Sequence, residues 1–326
     1  MKHEIIASDR SLRIAVLAGG PSAERAISLE SGTAVADALQ QRGHTVTSID
    51  PAQTPLTQVD WSQHDLAFLA LHGTFGEDGQ VQAILDDLGV RYTGSDRAAS
   101  RVAFSKSAAK ERFGHAGVAT PPHVVIHESD IASRIDRAAR RLGFPLVVKP
   151  DAQGSSLGVT ICDSIDDLPE ALSRCFHYGP FGLLETMISG TEWTVGLLDD
   201  LVLPAIQIET PRGFFDYQAK YQDEETLYHF EFDHPPAVVR AVEVLAARAV
   251  RAVGATGISR VDLRVDAWGQ PWVLEVNTIP GMTSHSLIPK AAARMGIDFS
   301  DLCDRAARSA LARPGSPHTA LLRRAG

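Results

Sequence analysis

The 326-residue chain contains only three cysteines, Cys162, Cys175 and Cys303, far apart and without a CxxC pair. That spacing excludes a disulfide-stapled scaffold and a thiolate metal site, and it suits a reducing compartment. Long apolar runs are missing as well. Nothing approaches the ~18 apolar residues of a membrane span. The opening MKHEIIASDRSLRIAVLAGG is interrupted by Asp9 and Arg10, unlike a secretory signal. Positive charge is the third shortage: 31 Lys and Arg against 40 Asp and Glu leave a formal charge of −9. That balance gives no support to a broad nucleic-acid footprint, although a few local cations can still bind phosphate in an acidic protein. The expectation is a cytoplasmic protein with no nucleic-acid and no membrane partner. Two nucleotide fingerprints are absent too. GxxxxGK[ST] does not occur, and the first glycine turn reads GGPSAE rather than GxGxxG, which argues against a dinucleotide-dependent oxidoreductase.

What is present is an ordinary globular composition, 44% hydrophobic and 22% charged, long enough for two or three domains at roughly 100–200 residues each. RIAVLA (13–18) predicts a buried strand ending at a glycine turn, followed by a helix over 26–41 with apolar positions at Ile27, Val35 and Leu39. Strands at 44–49, 66–71 and 90–92 and a helix over 78–88 complete an alternating pattern. Such alternation predicts an α/β fold with a doubly wound parallel sheet and functional loops at the carboxyl ends of strands, here 19–24 and 72–79. Beyond residue 100 the pattern predicts helices at 105–116, 129–142, 236–253 and 298–311. Strands are predicted at 123–126, in PLVVKP, GLLETMI and TEWTVGLL, and in RVDLRVD and PWVLEVN. The polar stretch 209–236 is too long for a simple connection and predicts a lid or binding loop.

Two constellations carry chemistry. In Arg260-Val261-Asp262 and Glu275-Val276-Asn277, strand alternation puts the outer residues of each triplet on one face. If the strands are neighbours, Asp262, Glu275 and Asn277 converge as the hard oxygen ligands that magnesium prefers. The same pattern also fits a solvated face of an antiparallel pair. Lys149 ends an apolar strand before DAQGSSLG, where glycines and the hydroxyls of Ser155 and Ser156 can surround a phosphate chain. Alone, such a loop is more often a turn than a nucleotide site.

Taken together, GGPSAERAIS, ALHGTFGEDG, YTGS, KPDAQGSSLG, FFDYQAKY, RVDLRVD and LEVNTIPGMTSHSL, in this order, carry a resemblance over about 12–311. The sequence resembles the D-alanine–D-alanine ligases of the ATP-grasp superfamily. The resemblance implies an N-terminal α/β domain (1–100) and a two-subdomain, α+β ATP-grasp fold. Its central subdomain spans 101–188 and its C-terminal subdomain 189–312, with a lid at 209–236 and a disordered tail at 313–326. ATP lies between the two subdomains in this scheme. Lys106, Lys149, Ser156 and Lys220 then serve the phosphates, and Glu185, Met187, Ile188 and Glu192 surround adenine and ribose. Asp262, Glu275 and Asn277 hold Mg2+ (or Mn2+), as two ions.

The implied reaction joins two D-alanines through an acyl phosphate, supplying a dipeptide for peptidoglycan. Glu24 holds the ammonium of the first D-alanine and His72 orients that site. Ser286 and the N–H of Leu287 receive the carboxylate of the second. Arg260 and the N–H of Gly281 stabilise the tetrahedral oxyanion. Ser155 and Tyr221 join Glu24 in a hydrogen-bonded set that ties the first loop to the lid. In related ligases using D-lactate, phenylalanine commonly stands at the Tyr221 position, so tyrosine favours an amine acceptor. A homodimer is implied by the resemblance alone. Departures from the family pattern stand at Ala26, Thr74, Phe75, Gln218 and Ile279, none of them an implied ligand. The alternatives are a ligase using D-serine or D-lactate, and a regulatory protein that binds nucleotide without turnover.

Overall fold

Ile14 to Leu17 are all buried, and they form the centre of β1 (Arg13–Leu17). β1 is flanked by β2 (Thr45–Ile49) and β3 (Leu66–Leu69), both parallel to it, in the order β2–β1–β3. Parallel neighbours need a crossover. α1 (Arg25–Gln41) provides it, burying Val35, Ala36 and Leu39. α2 (Gln80–Asp87) and α3 (Arg97–Phe104) follow. The strand expected at 90–92 is reduced to a single bridge between Tyr92 and Ala67, because Gly89 and Gly94 turn the chain away on both sides. The computed structural model describes residues 10–210, 225–283 and 286–313.

α4 (Lys106–Ala116) leads into an antiparallel sheet of β4 (His123–His127), β5 (Leu146–Pro150), β6 (Thr160–Cys162) and β7 (Phe181–Thr186), ordered β4–β7–β5–β6. α5 (Ala132–Leu142) and α6 (Leu168–Phe176) cover one face, giving a core of Ile126, Ile135, Leu146, Val148 and Leu184 that also takes in Cys162 and Cys175. With Cys303, all three thiols are free and buried, as packing residues.

The last sheet runs β11–β10–β8–β12–β13, antiparallel throughout. Its strands are β8 (Gly190–Leu198), β9 (Leu201–Val202, paired with β8), β10 (Ile206–Glu209), β11 (Leu227–His229), β12 (Ile258–Asp266) and β13 (Pro271–Asn277). α7 (Pro236–Val253) lays Val242, Ala246 and Val250 on Trp193, Val195, Val261, Leu263 and Val273. The alternate residues of β12, Arg260, Asp262 and Arg264, therefore face the other way. α8 (Leu287–Arg294) and α9 (Phe299–Ala312) join this sheet to the first: Ile14, Leu39 and Phe68 share one core with Leu198, Ile288 and Leu302.

The segment 209–236 is less irregular than its composition predicts. Glu209 closes β10, and Leu227–His229 pairs with that strand. The residues between, 211–224, lie outside the described residues. In the segment expected as a tail, Arg313 is fixed: it donates to the Gly94 carbonyl (2.5 Å) and Thr256 Oγ1 (2.8 Å). Residues 314–326 lie outside the described residues.

Candidate active site

β5 delivers Lys149 to a pocket between the second and third sheets. Its ammonium, though at a strand end, is buried and meets Glu185 Oε1 of β7 at 2.7 Å. The other Glu185 oxygen meets Lys110 Nζ of α4 at 2.5 Å, and that ammonium also donates to Thr120 Oγ1 at 2.5 Å. Glu185 is 2% exposed, a strand residue facing the interior. Burial alone would raise its carboxyl; Lys149 and Lys110 outweigh that and hold it below the usual carboxylate range. Burial, reinforced by Lys149 and Lys106 and offset only in part by Glu185, pushes Lys110 down to about 8. Lys106 opens α4 beneath the Ser105 cap and donates to the Gln153 carbonyl at 2.7 Å, with Glu275 Oε2 at 3.3 Å. Ser156, Met187, Ile188, Glu192, Asp262 and Glu275 line the same pocket, whose apolar walls are Val147, Ile161 and Leu274.

The antiparallel β12–β13 pair brings the oxygen donors together. Asp262 stands opposite Glu275 and Arg260 opposite Asn277, with a bulge beside Asp262. All acceptor directions of Asp262 are engaged. Oδ1 accepts from Arg260 Nε (2.8 Å) and Thr194 Oγ1 (2.8 Å). Oδ2 accepts from Arg260 Nη2 (2.8 Å) and Asn277 Nδ2 (3.1 Å). Two carboxylates and an amide suit a hard cation that keeps waters and substrate oxygens in its shell, provided it displaces some of these hydrogen bonds.

A smaller cavity shares Lys106, Gln153 and Glu275 with this pocket and extends to Glu77, Gly154 and Asn277. Glu24 stands at this end, at the start of α1. Ser155 Oγ donates to Glu24 Oε1, across 131 residues of sequence. Gly73 makes room for it: its φ is +70°, and a Cβ there would fall 2.5 Å from Glu24 Oε2 and from Ser22 Oγ. His72 is buried behind this loop. Its Nδ1–H donates to the Ile279 carbonyl (3.1 Å) and its Nε2 accepts from Ser31 Oγ (3.0 Å), which makes it a neutral imidazole. Burial, together with Arg260, lowers its pKa to about 4 despite the Ile279 carbonyl. Ser286 starts α8 ahead of Leu287, and its Oγ accepts from the Thr283 N–H (2.9 Å). Gly281 lies against it, since a Cβ at Gly281 would meet Ser286 Oγ at 2.9 Å.

Of the sites expected from sequence, Lys106, Lys149, Ser156, Glu185, Met187, Ile188, Glu192, Asp262, Glu275 and Asn277 line these two cavities. Glu24, His72, Ser155, Arg260, Gly281, Ser286 and Leu287 line neither, and Lys220 and Tyr221 lie outside the described residues. Three further side chains belong to this region without having been singled out. Lys110 completes the Glu185 cluster. Glu77, whose carboxylate accepts from the Gly73 N–H at 2.8 Å, faces Glu24 and Glu275, and burial followed by Glu24 raises its pKa. Arg264 stands two residues beyond Asp262 on the same face of β12, where the alternation that located Arg260 and Asp262 would have found it.

A pocket between two antiparallel sheets, lined by lysines and by strand-borne oxygen donors, is the arrangement of the ATP-grasp class. Family models described as "D-ala D-ala ligase C-terminus" and "D-ala D-ala ligase N-terminus" match residues 113–307 and 49–95. The chain is 45% identical over 296 residues to a D-alanine–D-alanine ligase of Gloeobacter violaceus, covering 90% of this chain and 98% of that one. It is 44% identical over 292 residues to one of Stutzerimonas stutzeri, covering 89% and 91%. The crystal structure of a D-alanine–D-alanine ligase from Bacillus anthracis superposes with a TM-score of 0.81 at 33% identity, over 97% of this chain and 100% of that one. The VanG D-Ala:D-Ser ligase of Enterococcus faecalis superposes with a TM-score of 0.80 at 26% identity, over 91% and 99%. The chain belongs to the D-alanine–D-alanine ligase family.

Proposed function

We propose that the chain ligates two D-alanines to D-alanyl-D-alanine for peptidoglycan, using ATP and releasing ADP and phosphate. The observation that carries this reading is the junction of the two cavities. Lys106, Gln153 and Glu275 line both, and Gly154 of the smaller cavity lies against the Glu24–Ser155 pair. The first D-alanine, its ammonium held by Glu24, then presents its carboxylate to the γ-phosphate. A carboxylate oxygen forms the new bond to phosphorus as ADP leaves. The amine of a second D-alanine, its carboxylate on Ser286 and the Leu287 N–H, attacks the acyl carbon and expels phosphate.

Lys106 and Lys149 balance phosphate charge, and Arg260 with the Gly281 N–H faces the tetrahedral oxyanion. His72 fixes the first-substrate loop by holding Ser31 and the Ile279 carbonyl, without exchanging a proton near neutrality. Ser156, Met187, Ile188, Glu185 and Glu192 form the nucleotide's surroundings, joined by Lys220. Asp262, Glu275 and Asn277 would hold Mg2+ or Mn2+, proposed as two ions, to neutralise charge on the transferring phosphoryl group. Tyr221, with Ser155 and Glu24, favours the amine acceptor. Support for D-alanine comes from the higher identity to proteins named D-alanine–D-alanine ligase than to the D-Ala:D-Ser ligase. A relative of known structure is described as complexed with ATP.

The division into 1–100, 101–188 and 189–312 is proposed on the same footing, each part holding one of the three sheets. Homodimer assembly rests on the resemblance alone. Among the described residues no helix is long and apolar enough to cross a membrane; residence in the cytoplasm is proposed from the substrates. The test is phosphate release with ATP, magnesium and D-alanine, with mass analysis of the product. The absence of D-alanine-dependent release would favour the regulatory reading, and a product carrying D-lactate or D-serine in preference would change the acceptor.

A further inference from the structure

Arg260, Asp262 and Arg264 line one face of β12, and only the first two have a part in the reaction above. Arg264 stands opposite Glu192 on β8, and its side chain is 12% exposed. Nη1 donates to Glu192 Oε2 at 3.3 Å and Nη2 to the Gly190 carbonyl at 2.8 Å. Nε is buried without a hydrogen-bond partner among the described residues. Arginine cannot shed its charge, so an unmatched buried N–H is unfavourable. The side chain lines the nucleotide pocket beside Ile188 and Leu274.

Position along the strand says which part of a nucleotide it meets. Arg264 lies two residues beyond Asp262, about 7 Å at ~3.4 Å per residue. With phosphates at Lys106 and Asp262, the next unit of a nucleotide along that direction is its ribose. Glu192 as a carboxylate can only accept hydrogen bonds. The donors that a ribose offers are its hydroxyls.

We propose that Arg264 is a nucleotide-positioning residue that makes the pocket selective for a ribose over a deoxyribose. It pins one oxygen of Glu192 so that the carboxylate meets the ribose hydroxyls, and its buried Nε–H is matched when the nucleotide is seated. The inference rests on the ATP-dependent reading of this pocket and adds the sugar it takes and the arginine that enforces the choice. An Arg264 that only ties β12 to β8 would change stability and leave sugar preference untouched.

The experiment titrates ADP and 2′-deoxy-ADP into the wild type, Arg264→Met and Arg264→Lys by calorimetry, alongside KM and kcat for ATP and the KM for D-alanine. The wild type should bind ADP more tightly than its deoxy analogue. Arg264→Met should lose about tenfold or more in ADP affinity, as expected for a charge-assisted contact, and less for the analogue, so the ratio moves toward one. The KM for ATP should rise in step, with kcat at saturating ATP and the KM for D-alanine near wild type. Arg264→Lys keeps the charge but not the planar fork. It should show the same collapsed ratio and decides the matter if Arg264→Met does not fold. Glu192→Gln should collapse the ratio as well, and the double variant should be no worse than either single one. A wild-type ratio in the folded Arg264 variants overturns the inference while leaving the ligase reading intact. A wild type that neither binds ADP nor releases phosphate on adding D-alanine sinks the ligase reading itself.

Discussion

Replacing Lys110 with methionine removes one of the two ammoniums that share the Glu185 carboxylate, and the structure separates two consequences. The first is stability. Breaking a buried ion pair by deleting one partner costs about 3–5 kcal/mol. Glu185 keeps Lys149 at 2.7 Å, so the low end, about 3 kcal/mol, is expected in denaturant unfolding. The second is nucleotide affinity. Two lysines on one glutamate leave the cluster with a net positive charge, which lets Lys149 turn to a phosphate without stranding Glu185. Without Lys110 the remaining pair is neutral. A unit charge removed from about 7 Å, at an effective dielectric of about 20, is worth about 2 kcal/mol, or about thirtyfold in Kd. Calorimetry with ADP measures this, and D-alanine-dependent phosphate release at saturating ATP should change far less. The pH profile supplies an independent readout. Lys110 loses its proton as pH rises through about 8, so wild-type ADP affinity should weaken across that range and the variant's should not. Folding stability moves the opposite way, because the unfolded chain keeps that proton until near 10.5. Wild-type ADP affinity in Lys110→Met, with an unchanged alkaline profile, would refute the claim that Glu185 is shared so as to free Lys149.

Three other outcomes follow from the site. Glu275→Gln should lower turnover by at least ~100-fold, the scale of lost charge stabilisation at a reacting phosphate, with the thermal midpoint near wild type; near-normal phosphate release would sink the metal assignment. Gly73→Ala places a methyl where Glu24 and Ser22 now sit, at a φ of +70°, and should cost about 1 kcal/mol of backbone strain. Its KM for the first D-alanine should rise several-fold while ADP binding holds, and an unchanged KM would show that Glu24 does not depend on this approach. His72 stays neutral in the folded chain down to about pH 4, against an ordinary value of 6.5. The unfolded chain therefore binds the extra proton between those values, and stability should fall as pH drops through that window, by up to about 3 kcal/mol. Urea midpoints at several pH values should show a shallower acid slope in His72→Gln, and equal slopes would mean that other groups carry the effect.

How far the sequence reads into this molecule depends on how local each cause is. β1, β8, β12 and β13 were legible because burial on one or both faces leaves a pattern within a few residues. The approach of Asp262 to Glu275 was legible for a related reason: β12 and β13 are joined through residues 267–270, so antiparallel pairing follows almost of necessity. Several shorter elements escaped. α3 and α8 have eight residues each and α6 has nine, about two turns; α2, equally short, was legible because Val81, Ile84, Leu85 and Leu88 keep helical spacing. Ser164 and Asp167 do form a capping box ahead of α6, a signal that would have exposed it. The hairpin partner β11 was hidden for another reason, since three residues paired with a strand on the far side of 211–224 carry no periodicity of their own.

The charge pairs mark the limit more sharply, and they bear on function. Arg264 and Glu192 are 72 residues apart, and Lys110 reaches Glu185 only because α4, with Ala109 and Phe113 in the third sheet's core, carries it across to the second sheet. Nothing near Lys110 in sequence distinguishes it from an exposed helical lysine. Its burial is a property of the whole fold, as is the neutrality of His72, which depends on a carbonyl 207 residues away. The groups whose chemistry is intrinsic, carboxylates on alternating strand positions and a lysine ending an apolar strand, could be read directly. The groups that set how strongly those act could not, because their strength comes from partners brought by segments distant in sequence. A net charge of −9 therefore coexists with a cluster of one buried glutamate and two lysines. The acidic excess belongs to the chain as a whole, while the pocket's positive end is made by unequal pairing inside it.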